Sequence, residues 1–272
     1  MANEKLNLSN FIVDRIISGV CYDSKDNVLV KMDQCQNTSI TCGSESTDIV
    51  DNVGSPILTL YRSKTCEISG ENAILDFGIT ALQMGTEKKV ASADNKVIAP
   101  AQEVFDVAAT YVLKHEPLTA PKFVYSLNKD SSLGDKFEKA TSADFATKKF
   151  AYDADTHTIT LPVAEGEIPA GTQMFVSYDY ETDAAVEVIN SAKNFPKSCK
   201  LVLRVLGYNP CEKENKLGAY IIFDSFQMSP DFDLSLNVGE AQSWSGKATQ
   251  DYCSKDRALM RIVVVDDDDD TF

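Results

Sequence analysis

The sequence is short of basic residues, histidine and tryptophan. Lys and Arg number 26 against 41 Asp and Glu, a formal net charge of −15. A surface of that sign repels phosphate, which excludes the electrostatic grip that non-specific nucleic-acid binding needs. It leaves open a wall past which nucleic acid slides. No apolar run approaches the about 18 residues of a membrane helix. Phe11–Val13, nearest the N-terminus, is cut short by Asp14 and Arg15, so neither a membrane anchor nor a secretory signal is expected. The two histidines, His115 and His157, lie far in sequence from every cysteine, and none of the seven cysteines has CxxC spacing. The common zinc patterns are thereby excluded. Cys21, Cys35, Cys42, Cys66, Cys199, Cys211 and Cys253 read as reduced thiols of a cytosol-made protein. Without secretion, the sequons at Asn7 and Asn37 are chance matches.

Catalytic patterns are missing too. Gly239 and Gly246-Lys247 approximate a phosphate-binding loop, but six residues separate the glycines and Ala248 stands where Ser or Thr is required. There is no GxSxG, HExxH or dinucleotide-binding glycine pattern. The pairs Asp153/Asp155 and Asp231/Asp233 read as solvated strand faces, and the single Trp244 as a core or interface residue. The expectation is a non-enzyme without metal or cofactor.

What is present is a globular, strand-rich composition. The 272 residues are 43% hydrophobic, enough for one large or two ordinary domains. Residues 1–10 look like a polar arm. Val20 to Met32 reads as a hairpin around Ser24-Lys25-Asp26-Asn27. A short strand near Thr38–Cys42 is followed by a long polar stretch, Glu45–Ser55, with isolated Ile49, Val50 and Val53 and no clean period. Its length for a loop marks it as functional or mobile. Pro56–Ser69 returns to strand composition. One amphipathic helix is expected next, capped by Ser69, carrying Ile74, Phe77, Ala81 and Met84, and ending at Gly85.

Residues 98–182 read as a separate small β-sandwich. Prolines punctuate it, it holds no cysteine, and Met174, Val176, Tyr178 and Tyr180 alternate cleanly. The first composition then resumes. Ala185–Ala192 fits a helix or a strand. Cys199–Tyr208, Ala219–Met228, Ala241–Gln250 and Leu259–Val265 read as strands. Asp231–Val238 shows the clearest alternation, with Phe232, Leu234, Leu236 and Val238 on one face and Asp231, Asp233, Ser235 and Asn237 on the other. The run Asp266–Asp270 reads as a solvated tail. Three segments result: 1–97, 98–182 and 183–272.

Two motifs carry a resemblance. Glu45-Ser46-Thr47-Asp48-Ile49-Val50-Asp51 precedes a strand ending in Glu67-Ile68-Ser69-Gly70 and a helix. Gly207–Cys211 and Ser229–Asp233 close two later strands. Over about 18–97 and 183–265 the chain resembles the tail tube proteins of tailed bacteriophages, with 98–182 resembling an inserted immunoglobulin-like domain. The resemblance implies a mainly β fold, an antiparallel sandwich or barrel with one flanking helix. It implies subunits joined edge to edge in rings and rings stacked into a tube. The partners implied are copies of itself, other phage tail proteins and genomic DNA that passes without specific binding. The place implied is the virion tail, assembled in the bacterial cytoplasm. Glu45, Asp48, Ile49, Asp51 and Val53 fall on the segment that reaches a neighbouring subunit, unless it is a plain mobile loop. Asp231, Asp233, Ser235 and Asn237 are candidates for a lumen-facing stripe, with an outward solvated face as the alternative. A head decoration or neck protein, or a surface carbohydrate-binding module, are the rival functions.

Overall fold

The computed structural model describes residues 8–163, 168, 169, 171–235, 237–250, 252 and 255–265, and only the backbone of 212–215. The N-terminal arm up to Asn7, Leu236, Cys253 and the tail Asp266–Asp270 lie outside the described residues. The chain divides into two compact units, Met1–Lys88 with Val188–Phe272, and Lys89–Glu187.

The first unit opens with β1 (Ile12–Tyr22) and β2 (Val28–Met32), an antiparallel pair. Asp23 shapes their turn, accepting from the backbone N–H of Lys25 at 2.7 Å and of Asn27 at 2.9 Å. Next come β3 (Cys35–Val50) and β4 (Pro56–Asn72), paired from Cys35↔Asn72 to Val50↔Pro56. The stretch 45–55 is therefore not a long loop. Residues 45–50 are strand, and only 51–55 turn. Residues 45–48 are polar, yet each of 45–50 finds a cross-strand partner, and pairing of that kind is invisible in the periodicity of one strand.

The single helix of the described residues, α1 (Phe77–Met84), starts later than its sequence suggests. Ser69 does not cap it, because Ser69–Asn72 are held in the sheet between β3 and the later strand Gln242–Ala248. Asp76 is the cap, accepting from Gly78 N at 2.6 Å and Ile79 N at 3.1 Å. Ile74, Leu75 and Phe77 stay exposed, while Ile79 and Ala81 are buried. Gly85 ends the helix in the left-handed region at φ 67°. A Cβ there would lie 2.3 Å from the Phe195 carbonyl carbon, so the residue is glycine on two counts.

The second unit holds β5 (Lys89–Val90), β6 (Val97–Asp106), β7 (Thr110–Val112), β8 (Phe123–Leu127), β9 (Leu133–Ala140), β10 (Lys149–Asp153), β11 (Thr158–Thr160), β12 (Gln173–Thr182) and β13 (Val186–Glu187). Seven of them form one sheet in the order β6-β12-β8-β9-β10-β11-β7, antiparallel except for β9 with β10. β6 and β7 sit at opposite ends of that path, yet only residues 107–109 separate them. The path must fold round on itself, and Phe137, Phe150, Ile159, Met174 and Val176 fill the space it encloses. Buried Glu103 is satisfied inside by the Tyr178 hydroxyl, the Tyr111 hydroxyl at 2.8 Å and Lys114 N at 3.1 Å. Burial, and this carboxylate beside it, push the Tyr111 hydroxyl up to about 12. β5 and β13 pair with each other, so the chain enters and leaves the unit side by side.

Back in the first unit, β14 (Ser198–Asn209), β15 (Glu212–Met228), β16 (Gln242–Ala248) and β17 (Arg261–Val265) complete an eight-stranded sheet. Its order is β2-β1-β14-β15-β16-β4-β3, with β17 on β15 as well. The far edge of β15 is shared, since Gly218–Ile222 pair with β17 and Phe226–Met228 with β16. The sheet curls into a half-barrel. Trp244, Phe223, Phe226, Leu201, Leu203, Ile68 and Met32 form one buried cluster of this unit, and Ile79 of α1 belongs to it.

The described residues of the alternating segment, 231–235, 237 and 238, are not in a strand. Alternation makes a strand only where a ladder partner and a face to bury coincide. The free edge of β15 is already taken by β16 and β17. Leu234 is left 42% exposed and Val238 fully exposed.

Candidate functional site

The feature that stands out is the outer half of the β3–β4 hairpin. β16 pairs with β4 only from Cys66 to Asn72. Beyond Cys66, among the described residues, β4 has β3 as its one partner, so the hairpin leaves the sheet as a two-stranded ribbon. Residues 44–50 at about 3.4 Å each carry it about 24 Å.

The expected site residues build this arm. Glu45 stands opposite Arg62, and Ile49 opposite Leu58. Asp48 accepts a hydrogen bond from the Thr59 hydroxyl at 2.7 Å. Asp51 makes the turn, its carboxylate accepting from Val53 N at 2.9 Å and Ser55 N at 2.8 Å. Val53 is the tip and is 83% exposed. The two aspartates are thus occupied within the arm.

Residues of β4 complete the surface, and their role was not legible in the sequence. Ile57, at the irregularity where the register passes from Leu58 to Pro56, and Tyr61 are 69% and 73% exposed, with Val50 and Leu58 each more than half exposed. Their signal was an apolar run, Ile57, Leu58, Leu60 and Tyr61, which reads as core until the missing neighbours are seen. An isolated two-stranded ribbon is marginal in water. Its exposed apolar side chains, Ile57, Leu58 and Tyr61, lie where no third strand covers them among the described residues.

The sheet is also open at its ends. Among the described residues, β2 pairs only with β1, and β3 only with β4. Strand edges of this kind template further pairing.

The second expected group lies elsewhere in the first unit. Asp231 borders a shallow cleft with Asn37, Ser69, Glu71, Ser243 and Ser245. Asp233 is exposed. Ser235 and Asn237 turn to Glu240, the Ser235 hydroxyl and the Asn237 amide both donating to it, which holds the Glu240 carboxyl below its ordinary range. These residues share an exposed connector and do not form a stripe on a strand.

Among the described residues no group of three or more His, Cys, Asp and Glu side chains gathers as a metal would need. No described helix is long and apolar enough to cross a membrane. Trp244 is 2% exposed and belongs to the core. No curated protein matches the chain. The model of the YomU/Tube protein family matches residues 11–262, a range that takes in the 89–187 unit. With nearly its whole length inside that match, the chain belongs to the YomU/Tube protein family, a family of phage tail tube proteins.

Proposed function

We propose that this protein polymerises as rings stacked into the tube through which a phage genome passes. The observation that carries the reading is the arm, a two-stranded ribbon with exposed apolar side chains that extends from a half-barrel whose edge strands are unpaired among the described residues. Edges β2 and β3 suit head-to-tail pairing of identical copies, and a heterologous contact of that kind closes into a ring. The arm, from Glu45 through Asp48, Ile49, Asp51 and Val53 to Tyr61, reaches a neighbouring subunit or ring. Covered by that neighbour, Ile57 and Tyr61 lose the water they face in the lone chain.

The role of the chain is structural rather than catalytic, and its partners are copies of itself and other tail proteins. The net charge of −15 suits a conduit, because duplex DNA slides along a wall that repels phosphate. Asp231 and Asp233, exposed on the 229–241 connector, contribute to that charge with Ser235 and Asn237. The 89–187 unit is carried outside the passage, since its bulk and a DNA duplex compete for the same lumen.

The test separates assembly from folding. Purified protein viewed by negative-stain microscopy is expected to show rings or hollow rods. The double variant Ile57→Ser/Tyr61→Ser is expected to melt within about 0.5 kcal/mol of the parent, as exposed substitutions do, and to remain monomeric by light scattering. Parent protein that stays monomeric under all conditions, or a variant that assembles normally, overturns the reading.

A further inference from the structure

The root of the arm carries a pair of thiols. Cys42 and Cys66 are direct cross-strand partners, and their sulfurs are 3.1 Å apart. Directly opposed residues of an antiparallel pair have Cα atoms about 4.5–5.5 Å apart, inside the range a disulfide spans. The position is singular in the fold. Cys66 is the outermost residue of β4 still paired with β16, through Ala248, so the thiols sit where sheet becomes free ribbon.

The two sulfurs are unequal. Cys66 is 2% exposed, and burial, with the Cys42 thiol beside it, pushes it up to about 12. Cys42 is exposed. A cleft of about 580 Å³ opens on the pair, lined by Cys42, Lys64, Cys66, Asp256, Arg257 and Met260. The cleft's two cations, Lys64 and Arg257, outnumber its one carboxylate, Asp256, a local balance that favours an anionic thiol reagent over the repulsion of the chain as a whole.

We propose that Cys42 and Cys66 are a redox latch, closed by a small anionic disulfide of the glutathione type. The Cys42 thiolate attacks one sulfur of oxidised glutathione, whose S–S bond breaks and releases one glutathione thiolate. The Cys66 thiol gives its proton to water, attacks the Cys42 sulfur and expels the second glutathione. Two protein thiols are oxidised and one glutathione disulfide is reduced to two glutathiones. The closed latch fixes the register of β3 and β4 where the ribbon loses its third strand. A reducing cytosol keeps it open, and an oxidising exterior closes it. That timing rests on the tube reading, whereas the thiol chemistry stands without it.

The experiment uses the full chain treated with excess oxidised glutathione and then denatured for thiol counting. The count is expected to fall from seven to five, with a Cys42–Cys66 linkage assigned by fragmentation of the unreduced peptides. The melting temperature is expected to rise by several degrees and to return with dithiothreitol. Cys42→Ser, an exposed and conservative change, is expected to keep all six of its remaining thiols and an unshifted melting temperature. A count that stays at seven, or a linkage of Cys42 to any other cysteine or between chains, overturns the proposal. Failure of the parent protein to form tubes leaves these readouts intact and tests only the timing.

Discussion

At the residue scale, Gly78 shows how a local preference yields to packing. Alone in a helix it is a liability of about 1 kcal/mol against Ala, and the sequence offers no reason for it. The fold does. A Cβ at this position would lie 2.8 Å from Val30 Cγ2 and 2.9 Å from the Asp76 carboxylate that caps α1. Val30 is β-branched and buried in β2, so it has little freedom to move aside. Gly78→Ala is therefore expected to destabilise by up to about 2 kcal/mol, overpacking outweighing the gain in helix propensity. In a Val30→Ala background the same change is expected to be neutral or stabilising. Urea unfolding of the four combinations checks this, and additive effects would refute the contact. Gly85 and the turn residues 24–27 were legible because their chemistry is local. Asp76 as the cap was not, because what displaced Ser69 was pairing with residues about 30 and 170 positions away.

At the element scale, the hairpins are held by carboxylates, and this makes them sensitive to acid. Asp23, Asp130, Asp144 and Asp153 each accept side-chain and backbone hydrogen bonds within their own turns. All four are held below the ordinary carboxylate range, chiefly by the side-chain bonds from Asn27, Ser132, Thr147 and Thr156 respectively. Asp224, paired with Arg261 at 2.8 and 3.0 Å where β17 joins β15, is lowered too, chiefly by that hydrogen bonding. Each folded value lies below its unfolded one of about 3.9. Their contribution is thus complete above about pH 3.9 and is lost as pH falls through the folded values. The melting temperature is expected to be flat from pH 7 to about 5 and to drop below about 4. A protein that gains stability on acidification contradicts the assignment. The same scale explains the two misread segments. The β3 side of the outer ribbon, 45–50, looked like a loop because its residues are mostly polar and without a clean period, and 231–238 looked like a strand because they alternate. In both cases the deciding fact was a partner, present for Thr47 with Leu60 and missing for Leu234. Strands whose apolar residues bury one face, such as β12 with Met174, Val176 and Tyr178, were legible from period alone.

At the scale of the whole molecule, the question is whether 89–187 is a graft on the unit proposed to assemble. The two ends of this unit are hydrogen-bonded neighbours, Val186↔Val90 and Glu187↔Lys89, as an insertion between two adjacent points of another fold requires. It has its own buried cluster, around Phe137, Phe150 and Met174, and the remaining residues have theirs, around Trp244 and Phe223. No single stretch of sequence announces this. β5 and β13 are two residues each, and β9 buries only Phe137, so the composition shift near 98 and 182 points to a second unit without giving its edges at 89 and 187. Every strand of the eight-stranded sheet, its open edges and the arm lie outside 89–187. Removal of that segment, with Lys88 joined to Val188 through a short Gly-Ser linker, is accordingly expected to leave a cooperatively folding protein that still forms rings or rods. The two-state melt and micrographs of the deletion variant measure the two outcomes separately. A deletion variant that folds but no longer assembles would place subunit contacts on the inserted unit. One that does not fold would show that the two clusters are interdependent.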